Sequence, residues 1–72
     1  METSMNEEVL NLQIRKFLKN VGITSQREIE LAVRSATAEG KLTGQEALKV
    51  QVKLSMTEIG LEKEIDGTIS LE

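Results

Sequence analysis

Three carboxylates at alternate positions, Glu62, Glu64 and Asp66, are the closest approach this sequence makes to a metal site, since hard cations such as calcium and magnesium take oxygen ligands. On an extended strand that spacing puts all three on one face but too far apart to share one ion, so they read as a solvated outer face. Lys63 lies between them with the opposite parity, and is the only charged residue at an inward position of either predicted strand. A desolvated lysine amine can act as a base or as a Schiff-base nucleophile. Beside a hairpin turn, however, its stem can cover apolar surface while the ammonium reaches water. A third group, Thr24, Ser25, Gln26 and Arg27, falls at the start of a predicted helix, where free backbone amides and the helix dipole favour an anion. Arg15, Lys16 and Lys19 on the preceding helix extend that candidate phosphate or nucleic-acid contact, and ordinary capping with solubilising charge is the plainer account.

The chain has no His, Cys, Trp, Tyr or Pro. Catalytic triads, Cys/His metal centres, phosphate-cradling loops and dinucleotide fingerprints all require residue types or spacings that do not occur. The expectation is therefore a protein that is not an enzyme and that uses neither a metal nor a cofactor.

The elements that must position these residues follow from hydrophobic period. Leu10, Ile14, Phe17, Leu18 and Val21, then Ile29, Ala32, Val33 and Ala36, recur at three-and-four spacing and mark helix faces. After Gly44 the period changes to strict alternation, with Leu48, Val50, Val52, Leu54 and Met56 inward. Ser4 with Glu7 forms a capping-box pattern for a first helix over about 5–21, stopped by Gly22 with Ile23 turned back on Leu18. Glu7 and Glu8 then complement its positive end, and Lys16 and Lys19 its negative end. Ser25 with Glu28 repeats the box, so a second helix runs over about 25–39, steadied by a Glu30 to Arg34 ion pair and stopped by Gly40. Strands follow over about 47–56 and 61–71, turning through Thr57 to Gly60. That turn pairs Met56 with Leu61, Val52 with Ile65 and Leu48 with Ile69, and sets Lys53 against Glu64 on the outer face. Asp66-Gly67 is a competing turn signal, but inward apolar residues continue on both sides of Gly67, which makes it a bulge or a thin spot.

At 72 residues the sequence is one small α+β domain of order ααββ, with both helices packed on one face of the hairpin and the apolar residues above, with Ile65 and Ile69, as its core. A chain this short buries only about 60% of the surface its unfolded form exposes. Disulfides and Cys/His zinc sites are impossible here, so self-association is the remaining device that small domains use, and a free strand edge can pair with a second copy. Nine Lys plus Arg against twelve Asp plus Glu give a net charge of -3, which disfavours attraction to nucleic acid. No apolar run approaches the roughly 20 residues of a membrane span, and the acidic, polar start is unlike a secretory signal, so the cytoplasm is the default compartment. Met5 offers an alternative start, and Leu71 with Glu72 reads equally as a cloning remnant or as the end of the strand.

Two leucines leave their helical faces: Leu12 points away from Ile14 and Phe17, and Leu31 away from Ile29 and Val33, with Ala38 on Leu31's side. Single exposed leucines are common, but Leu12, Leu31 and Ala38 together make a candidate partner or dimer surface.

The stretch Ile14-Arg15-Lys16-Phe17-Leu18-Lys19, then Val21-Gly22, then Thr24 to Glu30 and Ala32-Val33, resembles a family of short uncharacterised bacterial proteins. The likeness runs from about Met5 to the end of the chain. It implies a bacterial, cytoplasmic protein and supplies no catalytic residues. The helix pair and hairpin also resemble a fragment of winged helix-turn-helix proteins, with a departure: only two helices are expected, and the one that would read DNA carries Arg27 and Arg34 against Glu28, Glu30 and Glu39. The expected function is accordingly a non-enzymatic interaction module. Binding of nucleic acid or a phosphate ligand through Arg15, Lys16, Lys19 and Arg27 is the alternative, and a lysine-dependent enzyme using Lys63 the third.

Overall fold

The computed structural model describes residues 5–72. One long helix, α1 (Glu7–Ala38), precedes two strands, β1 (Ala47–Met56) and β2 (Leu61–Ser70), joined by a short 3-10 turn, Thr57–Ile59. The chain divides into two units, one ending at Ser35 and the other running Ala36–Glu72.

The α+β class and the hairpin stand as the sequence predicts, but the two helices are one. Gly22 lies inside α1, and its φ is not positive, so it supplies no left-handed stop. Ser25 is likewise mid-helix, and the Ser25 to Glu28 pair caps nothing. The physical reason is a comparison of costs. Ending a helix at Gly22 and restarting it leaves carbonyls on one side and amides on the other without helical partners, whereas a glycine within a helix costs only about 1 kcal/mol. Continuing the helix satisfies every one of those groups, and no proline forbids it.

The helix starts from Asn6, whose side-chain Oδ1 accepts from the amides of Glu8 (3.0 Å) and Val9 (3.2 Å), while its carbonyl accepts from Leu10. Ser4, on which the predicted capping box rests, lies outside the described residues. Glu7 and Glu8 occupy the first turn as expected, but Lys16 and Lys19 fall mid-helix and the last turn holds no basic residue. Replacing Asn6 by Ala should cost about 1 kcal/mol of helix stability. Denaturant unfolding followed by circular dichroism checks this, and an unchanged midpoint would exclude the cap as a contributor.

The helix ends where the sequence places its second stop. Gly40 adopts φ +78, its amide donates to the Thr37 carbonyl (3.1 Å), and the Lys41 amide reaches back to Ala36 (2.9 Å), the two bonds of a Schellman motif. The Glu30 and Arg34 ion pair also forms, at 3.7 Å.

In the hairpin the predicted register holds at every pair, including Leu48 with Ile69, Val52 with Ile65, Lys53 with Glu64 and Met56 with Leu61. Gly60, at φ +70, closes the turn by donating to the Thr57 carbonyl. Gly67 is not a bulge, since it sits opposite Val50 in regular pairing. It is a thin spot, where a Cβ would stand 3.4 Å from Val50 Cγ1.

Before β1, Glu46 organises the connector: its carboxylate accepts from the amides of Thr43 (2.9 Å to Oε2) and Gly44 (3.0 Å to Oε1). Those bonds, the Thr43 amide foremost, hold its pKa below the usual 4.5 against an opposing partial desolvation. A carboxyl whose folded pKa is depressed contributes stability above its ordinary value and loses it as pH falls through the folded one. Glu46→Gln should therefore lower the melting temperature at neutral pH, and the gap from the parent chain should close on acidification below 4.5. A gap that stays constant across that range would assign the effect to something other than the ionised carboxylate.

The core predicted from periodicity is absent, because none of the described residues is buried. The expected arrangement of two helices on one face of the sheet falls with the second helix.

Candidate functional site

With no buried core, the apolar faces themselves are the candidate site. A helix advances about 100° per residue, so the residues of α1 can be placed around its axis. Leu10, Ile14, Phe17, Leu18 and Val21 fall on one side, and beyond Gly22 the same line continues through Ser25, Ile29, Ala32 and Ala36. Merging the two predicted helices therefore merges two short faces into one stripe. The signal was present in the sequence, since Val21, Ser25 and Ile29 keep helical spacing across the supposed break. Leu10 is 39% exposed and Phe17 55%, while Val21, Ser25, Ile29, Val33 and Ala36 are half-buried by their own helix.

The hairpin presents a second apolar face. Register places Leu48, Val50, Val52, Leu54 and Met56 beside Leu61, Ile65 and Ile69, and Val52, Met56 and Ile65 remain exposed. Lys63 sits on this face opposite Leu54, and it too is exposed. On the outer face, Glu64 is 4.0 Å from the Lys53 ammonium, and Asp66 Oδ1 accepts from Gln51 Nε2 at 2.9 Å. Glu64 and Asp66 thus meet cross-strand partners, and among the described residues no three potential ligands group around a common point.

A model of a family described as "Family of unknown function (DUF6494)" matches residues 5–72. The chain belongs to this family. No curated protein and no solved structure matches it. Membership of DUF6494 accordingly assigns no activity. Among the described residues no helix is long and apolar enough to cross a membrane.

The predicted anion site lacks its foundation. Thr24 to Arg27 are interior to α1, so their amides are not those of a helix start. Lys16, Lys19 and Arg27 lie around the side away from the stripe, Arg15 flanks it, and Lys19 and Arg27 are about 12 Å apart along the axis. Glu30, bonded to Gln26 Nε2 and paired with Arg34, shares that side.

The predicted partner surface also disperses. Leu12 is 64% exposed and Leu31 58%, but on one continuous helix they stand about 28 Å apart and about 100° round from one another. Ala38 stays on Leu31's side, as expected. Leu31 lines an open groove with Ile23, Gln26, Arg27, Glu30 and Arg34, in which charged side chains outnumber the apolar ones. The stripe is longer than either leucine's surroundings, and of its residues Ser25 and Glu28, at the angle of Leu10, are polar.

Proposed function

We propose that this protein is a non-enzymatic interaction module whose working surface is the apolar stripe of α1, covered by another protein chain. The observation that supports this reading is the exposure of Phe17 and its neighbours in a chain whose described residues include none that is buried. Large contiguous apolar surface facing water is costly, and in soluble proteins it marks a binding face. Phosphate binding is the weaker reading, because the helix start it relied on is absent and Glu30 stands among the cations.

Photocrosslinking in the producing cell tests the stripe directly. A benzophenone amino acid at Phe17 should give adducts heavier than the chain, while the same group at Lys16, on the other side of the helix, should not. Adducts at neither position, or equally at both, would remove the stripe as an intermolecular surface.

A further inference from the structure

We infer that the stripe is covered by the same stripe of a second copy, with the two helices antiparallel about the level of residue 23. The inference rests on the interaction reading above and names its partner. Its basis is a symmetry in the helix: the stripe positions Leu10, Ile14, Phe17, Leu18, Val21, Ser25, Glu28, Ile29, Ala32 and Ala36 are separated by four, three, one, three, four, three, one, three and four positions, the same in both directions. Reversing one copy therefore superposes stripe on stripe, layer by layer.

Side-chain size selects the antiparallel arrangement. The N-terminal half of the stripe is bulkier than the C-terminal half, so reversal sets Leu10 on Ala36, Ile14 on Ala32, Phe17 on Ile29, Leu18 on Glu28 and Val21 on Ser25. Three of the five layers pair a large side chain with a small one, and the helices keep a nearly constant separation, as even packing requires. In parallel register Phe17 would meet Phe17 and Ala32 would meet Ala32. The helices would then be wedged apart at one end and would leave voids at the other.

Area agrees with a second copy as the occupant. Leu10, Ile14, Phe17 and Leu18 are 39%, 46%, 55% and 53% exposed, which for side chains of roughly 200 Å² leaves about 400 Å² open in each copy. With the half-buried remainder of the stripe, a pair covers about 1,000 Å², the size at which a specific interface becomes tenable. Lys16, Lys19 and Arg27 all point away from the stripe, so pairing brings none of these cations against its counterpart, while Glu28, which lies on the stripe, comes level with Leu18 of the other copy and its own counterpart stands about 15 Å away along the axis.

The full-length chain tests this by mass and by distance. Sedimentation equilibrium should give twice 8.0 kDa at micromolar concentration. Because the protein has no cysteine, a nitroxide can be placed on Glu8→Cys or on Gln26→Cys, both off the stripe. Antiparallel pairing predicts a separation of about 45 Å between the residue 8 labels and under about 20 Å between those at residue 26. Short distances at both positions, which a parallel pair gives, would overturn the inference, and so would a chain that stays at single mass throughout. In that last case the Phe17 crosslink separates the two claims. An adduct with a different protein rejects self-pairing and keeps the interaction reading, whereas no adduct rejects both, as when the stripe is covered by the chain's own hairpin.

Discussion

Phe17→Glu is expected to raise the dissociation constant for self-association by about 10²- to 10⁴-fold. Phe17 is the largest side chain of the α1 stripe and the only aromatic residue in the protein. Covering a side chain of this size is worth about 1.5 to 3 kcal/mol, and each pair of chains loses two of them. The carboxylate that replaces the ring would also be desolvated opposite Ile29, which adds to the cost. Leu12→Ser, on the far side of the same helix, serves as the control and should leave the constant within about threefold, as for a surface change distant from any contact. Sedimentation over a concentration series measures both variants. Equal weakening by the two would mean that the stripe has no special part in association.

The second large effect belongs to Gly22, and its sign discriminates between one helix and two. In a continuous helix Gly22→Ala should stabilise the protein by about 0.5 to 1 kcal/mol, because alanine restricts the unfolded chain and suits helical φ and ψ. A Cβ at Gly22 meets nothing within 4 Å, so no clash offsets that gain. For a chain of this length the change corresponds to a rise of a few degrees in melting temperature. Gly22→Pro should do the opposite, costing about 3 kcal/mol or more through a lost hydrogen bond and a clash with the preceding turn. If Gly22 were instead a left-handed stop between two helices, alanine would destabilise the protein. Thermal melts of the two variants beside the parent chain are sufficient to decide.

How legible each element was depends on how far its determinants lie apart. The hairpin could be read to the residue, because alternation on both strands and a four-residue turn from Thr57 to Gly60 jointly admit one register, and a slip of one would invert both faces. The same logic cleared Asp66-Gly67 as a turn, since Ile65 and Ile69 keep their inward parity across it. The stop at Gly40 was legible because it coincides with the end of the apolar spacing. At Gly22 two local signals, a glycine and a Ser-x-x-Glu pattern, pointed to a break, and a continuing stripe pointed through it. Such signals state what a chain end would look like if it occurred there. They do not state whether ending is cheaper than continuing. Asn6 was overlooked because Ser4 offered the more complete capping pattern two residues earlier.

The candidate sites divided along the same line. Glu62, Glu64, Asp66 and Lys63 take the faces that strand parity assigns them, because parity is set by one neighbouring strand. The anion contacts at Thr24 to Arg27 required a helix start, which went with the break at Gly22, and on one continuous helix Leu12 and Leu31 stand far apart. The sequence by itself determined the class of the fold, the register of the hairpin and the absence of the residue types that common catalytic centres use, because period, parity and composition are properties of neighbouring residues. Only the tertiary structure decided that α1 is continuous and that none of the described residues is buried. Both depend on the balance between satisfying backbone groups within one helix and covering an apolar face with a second layer, a balance set by the whole fold and not by any local segment.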